Sequence, residues 1–401
     1  MISLEILLLT SEFPPYTWGG LGRYSYEVYQ ELNRKGIRVT VLNIPSYYFI
    51  ARNEKLQDST ITEIDGYNKI IHVIDNEIIN FYTFKSILDM SVYNPNPYRK
   101  ILKNLTEIIE RDYDVIFVQD YYNSLLATLL YLEGFSDCII SVHHLPLYAG
   151  FTYFDKPMSD EIHQFLEAIL IRYSRKLIVP SQFTKRVLIQ IYNVDPDDII
   201  VLPLGVRATF EDRKTNIIED PRENSKIRLI SVLRFTDQKG LTYIVSLMDE
   251  LRRRGLNFTY SLIGNGPKLE DFFSLVNKFS LMQYIHHEKF VKNIFPYYSR
   301  HDIYVSTSLY ETFGLTLLEA MAYGCIPIAF NVGAVNEIIQ DGTTGFLVDI
   351  GDIESMADYI EMFSRKRGKL LSVKKNAILW AKKFSWEKHV DELVKIFKEC
   401  R

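Results

Sequence analysis

Two acids and two cations carry the strongest chemical signal in the chain. In "SLYETFGLTLLEAMAYG" (308–324), Glu311 and Glu319 stand eight residues apart. On one unbroken helix that spacing leaves them about 80° apart, at ~100° per residue. With Glu311 in a loop and Glu319 inside the helix that follows, both can address a ligand lying across the helix N-terminus. The backbone N–H groups of Phe313, Gly314 and Leu315 would there suit a phosphate. Upstream, in "SVLRFTDQKGL" (231–241), Arg234 leaves the end of an apolar run and Lys239 follows five residues later. Two cations so placed can neutralise a diphosphate whose charge grows as its substituent departs. Gly264 and Gly266 form a Gly-x-Gly turn in "LIGNGP", and "ISVHHLPLY" (140–148) ends an apolar run on His143 and His144. Near the N-terminus, "SEFPPYTWGGLGRYSYEV" (11–28) places Gly19, Gly20 and Gly22 between a strand pattern and a helix pattern. Without a Cβ, Gly19 and Gly20 let their N–H groups approach a phosphate or sugar. Gly22 lets the helix begin tightly.

These residues sit at the ends of short apolar runs, and the runs define what holds them. Candidate strands lie at 5–9, 38–43, 114–119, 138–143 and 176–180, with helical patterns around 22–35, 99–111, 122–132, 160–174 and 182–192. A polar, aperiodic stretch at 207–226 reads as a linker, after which strands recur at 227–233, 258–264, 302–308, 326–330 and 345–348. Continuous apolar strands alternating with helices imply parallel sheets covered on both faces. The expected fold is therefore α/β, with two facing doubly wound domains, 1–205 and 206–384, enclosing a cleft where the strands' carboxyl ends bind ligands. A final helix over 385–401 has no destination legible in sequence, packing back onto the first domain being one candidate. The segment 45–100, rich in Tyr and Asn, breaks the rhythm and stays unread.

Composition narrows the function. With 401 residues, 47% apolar and 24% charged, the chain is globular in character. A net charge of −4 lacks the basic excess of a nucleic-acid binder. Three widely spaced cysteines in no metal-ligand pattern point to reduced thiols and a cytoplasmic chain. "MISLEILLLT" reads as a buried strand instead of a leader, and no apolar stretch reaches the ~20 residues of a membrane span. Eight basic residues and no acid lie between Arg365 and Lys383. They read as a solvated helix face, or as a surface for peripheral contact with an anionic membrane.

The stretch 308–348 resembles the donor-binding signature of the retaining family-4 glycosyltransferases of the GT-B fold, and the likeness extends over both halves of the chain. By this resemblance Glu311 contacts the transferred sugar and Glu319 the nucleotide ribose. Arg234 and Lys239 match the family's R-x4-K-G and become the diphosphate ligands, with Leu233 where Gly often stands. Gly264 and Gly266 match the turn beside the nucleotide, and "EKFVKN" (288–293) the segment that meets the base. His143, ahead of His144, aligns with a histidine near the reacting sugar. In "VLPLGVRATF" (201–210), Leu204 and Arg207 replace the family's Asn and Asp, so no role passes to them.

The resemblance implies transfer of a hexosyl group, glucosyl first among them, from a nucleotide-diphosphate sugar to a carbohydrate or other acceptor hydroxyl. It implies retention at the anomeric carbon and no metal or other cofactor. Neither His143 nor His144 has a second ligand at zinc-like spacing. A glycogen or starch synthase, elongating a glucan from ADP- or UDP-glucose, is the main alternative. Those enzymes carry K-x-G-G-L, and here Thr17 takes the lysine's place. A phosphorylase would need a lysine-bound pyridoxal phosphate, for which no site is recognisable. A non-catalytic sugar-nucleotide-binding protein would not be expected to retain all four charged residues. Base, sugar, acceptor and oligomeric state are not legible.

Overall fold

Apolar runs of four to six residues, too short for helices, form the centres of two sheets. The computed structural model describes residues 4–16, 19–44, 59–66, 68–74, 103, 105–106, 108–110, 112–145, 160–207, 226–365 and 367–400. The chain divides into two compact units, Met1–Pro203 with Trp386–Arg401, and Leu204–Ser385.

The first unit runs β1 (Glu5–Thr10), α1 (Gly20–Arg34), β2 (Arg38–Asn43), β3 (Ser59–Asp65), β4 (Asn68–Ile74), β5 (Val115–Val118), α2 (Ser124–Leu132), β6 (Ile139–Val142), α3 (Asp160–Tyr173), β7 (Lys176–Val179), α4 (Gln182–Tyr192) and β8 (Ile199–Val201). Its strands lie in the order β3-β4-β2-β1-β5-β6-β7-β8. Pairing is parallel except at β3–β4, an antiparallel hairpin turned at Gly66 with φ 64°. That hairpin lies inside the segment left unread in sequence. Ile6, Leu7, Leu8 and Leu9 are all fully buried. This is the pattern of a parallel strand covered on both faces. Chain order reverses between β1 and β5, so the crevice beyond their carboxyl ends is this unit's ligand position by topology.

The second unit runs β9 (Ile227–Val232), α5 (Leu241–Arg253), β10 (Phe258–Ile263), α6 (Leu269–Lys278), β11 (Ile285–Glu288), α7 (Phe295–Arg300), β12 (Ile303–Ser306), α8 (Leu315–Ala322), β13 (Ile326–Phe330), α9 (Val335–Ile338), β14 (Phe346–Val348), α10 (Ile353–Arg365) and α11 (Arg367–Ala381). Its sheet is wholly parallel in the order β11-β10-β9-β12-β13-β14. Here the order reverses between β9 and β12.

The last helix, α12 (Trp386–Lys398), belongs to the first unit. The Phe397 ring meets Phe117 edge-on at 5.0 Å, and Lys35 Nζ stands 2.6 Å from an Asp391 oxygen. This return corrects the reading of the cysteines. Cys138, just before β6, and Cys400 are joined in a disulfide across 262 residues of sequence, and only Cys325 is free. Spacing could not show the pair, because the fold alone brings the residues after α12 beside β6. Among the described residues no helix is long and apolar enough to cross a membrane. The proposed linker is outside the described residues but for Arg207 and Lys226, and most of the helix expected at 99–111 is outside them too.

Candidate functional site

In the second unit, the loops leaving β9 and β12 flank the point where strand order reverses, and they carry Arg234, Lys239 and Glu311. The two loops are tied together at several atoms. The Leu309 N–H donates to the Gln238 carbonyl at 2.8 Å, and the Gln238 amide donates to the Tyr310 carbonyl at 3.0 Å. Thr307 Oγ1 donates to the Lys239 carbonyl at 2.9 Å. Gly240, with φ 59°, closes on the Thr307 carbonyl so tightly that a Cβ would stand 2.2 Å from its oxygen. On this frame Lys239 Nζ lies 3.0 Å from Glu311 Oε2, both side chains about one-fifth exposed. Arg234 is exposed on the same loop. The arrangement concentrates positive charge beside a half-buried carboxylate at the topological ligand position.

Gly264 and Gly266 close tightly on the backbone after β9. A Cβ on Gly264, at φ 141°, would stand 1.8 Å from the Leu233 carbonyl oxygen; on Gly266 it would stand 2.4 Å from that of Phe235. The Gly-x-Gly turn therefore supports the backbone on either side of Arg234. Gly333 does the same for the acid, its Cβ position being 2.0 Å from the Glu311 carbonyl oxygen. Sequence reading passed over Gly333 and Gln238. The signal for Gly333 was a glycine three residues after the end of β13, but only the close approach explains it.

Gly314, at φ 93°, is the N-cap of α8, and no side chain caps the helix. Leu315 is its first residue, while the Phe313 side chain is buried with its ring 6.3 Å from Phe384. Glu319 lies in the fifth position of α8, only 7% exposed, and accepts a hydrogen bond from the Tyr298 hydroxyl at 3.2 Å. Burial and the Glu319 charge both raise the Tyr298 pKa, so this hydroxyl stays a donor. The Gly264 N–H donates to the Glu288 carbonyl at 2.8 Å, which brings the "EKFVKN" segment to the turn, with Phe290 82% exposed.

In the first unit, His143 directly follows β6 and is buried. Its ring Nδ1 lies 3.1 Å from Glu167 Oε1 and Nε2 3.0 Å from Ser141 Oγ. Glu167 also accepts from the Tyr192 hydroxyl at 2.7 Å. Both ring nitrogens are thus engaged inside the unit. The reason is strand periodicity: Ser141 and His143, two apart, face one side, where α3 supplies Glu167. Serine, histidine and acid stand in the order of a hydrolase triad, but Ser141 is fully buried and cannot be a nucleophile. His144 Nε2 has no partner among the described residues. Its ring lies 4.5 Å from that of Tyr24, and burial pushes its pKa down to about 3.

The glycine loop follows β1 at this unit's own reversal point. Glu12 Oε2 accepts from the Gly19 N–H at 3.0 Å and the Gly22 N–H at 3.2 Å. The Gly19 amide expected to meet a phosphate is therefore already occupied. Gly20 is exposed at the first position of α1. A Cβ on Gly19 or Gly20 would meet nothing within 4 Å, so internal packing does not require glycine at either position. Asp120, beyond β5, accepts from the Ser11 N–H at 2.7 Å, and burial pushes its carboxyl up to about 6. Thr17, in the place of the synthase lysine, and most of the expected acceptor loops at 45–100 and 144–160 lie outside the described residues. Among the described residues no group of three or more His, Cys, Asp or Glu is arranged to hold a metal ion.

Two family models match the chain, Glycosyltransferase Family 4 over residues 18–210 and Glycosyl transferases group 1 over 212–380. The glycogen synthase of Fusobacterium nucleatum is 23% identical, covering 84% of this chain and 85% of that one. Three further curated relatives, among them the alpha-D-kanosaminyltransferase of Streptomyces kanamyceticus, are 26–29% identical, and the chain spans about half of their length. Among solved structures, sucrose-phosphate synthase from Thermosynechococcus elongatus superposes with TM-score 0.79 at 18% identity, covering 99% of this chain and 98% of that one. Anabaena HepE in complex with UDP-glucose gives 0.74 at 16% identity, with 98% and 99% covered.

Proposed function

The chain belongs to the GT-B glycosyltransferases, related to glycogen and starch synthases and dependent on a nucleotide sugar, and from that premise we propose a specific reaction. It moves a hexosyl group, glucosyl first among candidates, from a nucleoside-diphosphate sugar to an acceptor hydroxyl, with retention and without a metal ion. The Lys239–Glu311 pair carries this reading. One cation bound to one acid at the sheet's reversal point supplies both halves of a donor site, charge for a diphosphate and a carboxylate for sugar hydroxyls. Arg234, exposed on the same loop, adds the second positive charge.

In the reaction, the bond from the anomeric carbon to the diphosphate oxygen breaks and a bond to the acceptor oxygen forms on the same face. The acceptor proton passes to the departing phosphate. Arg234, Lys239 and the amides at the start of α8 offset the charge that develops on the leaving group. A retaining hydrolase would use a carboxylate as nucleophile. Here Glu311 is held against Lys239, which favours its role as a hydroxyl acceptor, and Glu319 addresses the ribose. The glucosyl choice is supported by the likeness to HepE, crystallised with UDP-glucose.

Thermal shift with UDP-, GDP- and ADP-sugars tests the proposal. A true donor at 100 times its Kd stabilises the folded protein by about 2.7 kcal/mol. Absence of a shift with every sugar nucleotide overturns it. A glucan synthase is the second reading, favoured by the match to glycogen synthase over 84% of this chain and 85% of that one. Radiolabelled transfer from ADP- or UDP-glucose onto glycogen separates the two.

A further inference from the structure

The N-cap of α1 is Gly19, a residue with no side chain to offer, yet the first-turn amides of this helix are not abandoned. In an ordinary N-terminus, the N-cap side chain accepts from the backbone N–H two or three residues on. Here one carboxylate oxygen of Glu12 takes the Gly19 and Gly22 amides together, reaching from seven and ten residues upstream. We propose that Glu12 is the external cap of α1 and the positioning residue of the glycine loop, present so that Gly19 and Gly20 can remain without side chains.

Glu12 is itself built into the unit. Thr10 Oγ1 accepts from the Glu12 N–H at 3.2 Å and stands 3.1 Å from the Glu12 carbonyl oxygen. The same Oγ1 lies 3.0 Å from Ser25 Oγ on α1. Next to it, the Ser11 N–H is held by Asp120 at 2.7 Å. The end of β1, the loop after β5 and α1 therefore meet at Thr10–Glu12, the segment from which the Glu12 carboxylate reaches the glycines. A serine or aspartate at position 19 could cap the helix directly, and its Cβ would fit. Its side chain would, however, stand on the exposed surface of the loop. An acid upstream supplies the cap and keeps that surface bare. Negative charge beside the N-terminus also suits the helix dipole. The proposal rests on the reading of Gly20 and its neighbours as a substrate-contacting loop.

Three variants of the whole chain test it: Glu12→Ala, Glu12→Gln, and Glu12→Ala combined with Gly19→Ser. Amide hydrogen exchange at Gly19 and Gly22 reads the cap without reference to activity. It should quicken at least tenfold in Glu12→Ala, stay near wild type in Glu12→Gln, whose amide oxygen can still accept, and slow again at Gly22 in the double variant. In sugar-transfer assays, Glu12→Ala should lose tenfold or more in kcat/KM, and Glu12→Gln should recover most of it. The double variant should regain the cap but not the activity, since the introduced hydroxymethyl group occupies the surface kept bare. Unchanged exchange in Glu12→Ala overturns the proposal. So does tighter nucleotide-sugar binding on removal of the acid, which would make Glu12 a competitor of the donor instead of a cap. If the wild type transfers no sugar, the glycosyltransferase reaction assigned above fails, while the exchange rates still decide the cap.

Discussion

Lys239 and Glu311 are 72 residues apart in sequence and 3.0 Å apart in space. A half-buried ion pair of this kind leaves an uncompensated charge when either partner is removed. Lys239→Ala should therefore lower kcat by about two to three orders of magnitude, the scale for losing one donor to a developing oxyanion. The fold should persist, as circular dichroism would show. Glu311→Gln should also lose turnover. In the double variant the losses should fall well short of the sum of the single ones, because the residues act as a unit. Simple additivity would mean the pair is a structural contact outside the reaction.

Gly264→Ala and Gly333→Ala should each destabilise the second unit by about 2–4 kcal/mol, since Cβ would strike a carbonyl oxygen in a left-handed backbone. Gly342→Ala serves as the control. It has φ 68° with nothing near its Cβ position, so only the conformational penalty of about 1 kcal/mol should appear. Urea titration of the three variants measures the difference. Equal losses would remove the steric argument for how Arg234 and Glu311 are supported.

Stability of the first unit should fall between about pH 6.5 and pH 4. His389 is buried; its Nδ1–H donates to the Pro203 carbonyl at 2.8 Å, so Nε2 accepts from Tyr24, 3.1 Å away. Burial lowers its pKa from 6.5 to about 4. His144, the other basic group facing Tyr24, is lowered likewise. A depressed folded pKa means stability is complete above the unfolded value and lost as pH falls toward the folded one. For His389 that amounts to roughly 3 kcal/mol, at 1.36 kcal/mol per unit. His389→Gln should be less stable at pH 7.5 and should flatten the urea-midpoint profile between pH 6.5 and 4.5. An unchanged slope would contradict the neutral ring.

His143 should behave as an interior residue. His143→Ala leaves the Glu167 carboxylate without its ring donor, at about 2–4 kcal/mol. The KM for donor in the surviving folded fraction should be close to wild type. A large loss of turnover with unchanged stability would restore it to the sugar.

Much of this was legible because parallel strands are written as plain apolar runs. "EILLL", "RVTVLN" and "IPIAF" lie within one residue of β1, β2 and β13. The hairpin β3–β4 was not, because β3 carries exposed residues, Ile64 among them, and alternates too weakly to stand out from its polar surroundings. Charge and spacing singled out Lys239 and Glu311, but their pairing depends on Gln238, whose amide looks like any loop residue. The surroundings of His143 were not legible for the opposite reason: a strand-end histidine carries no mark of the Glu167 that encloses it. Glu12 escaped notice because its partners are backbone amides, which no side-chain motif records.

The placement of α12 has a consequence for the order of events during synthesis. The second unit is one continuous stretch, so every strand of its sheet has been made before α12 is added. The first unit emerges earlier but cannot be finished then. The Tyr24 hydroxyl waits for a histidine made 365 residues later, and the Phe117 ring waits for Phe397. Domains made first generally fold first; here the unit that starts first is completed last. A chain stopped before Trp386 would hold an intact second unit beside an unfinished first one, with apolar surface on α1 and β5 left open to proteases and chaperones.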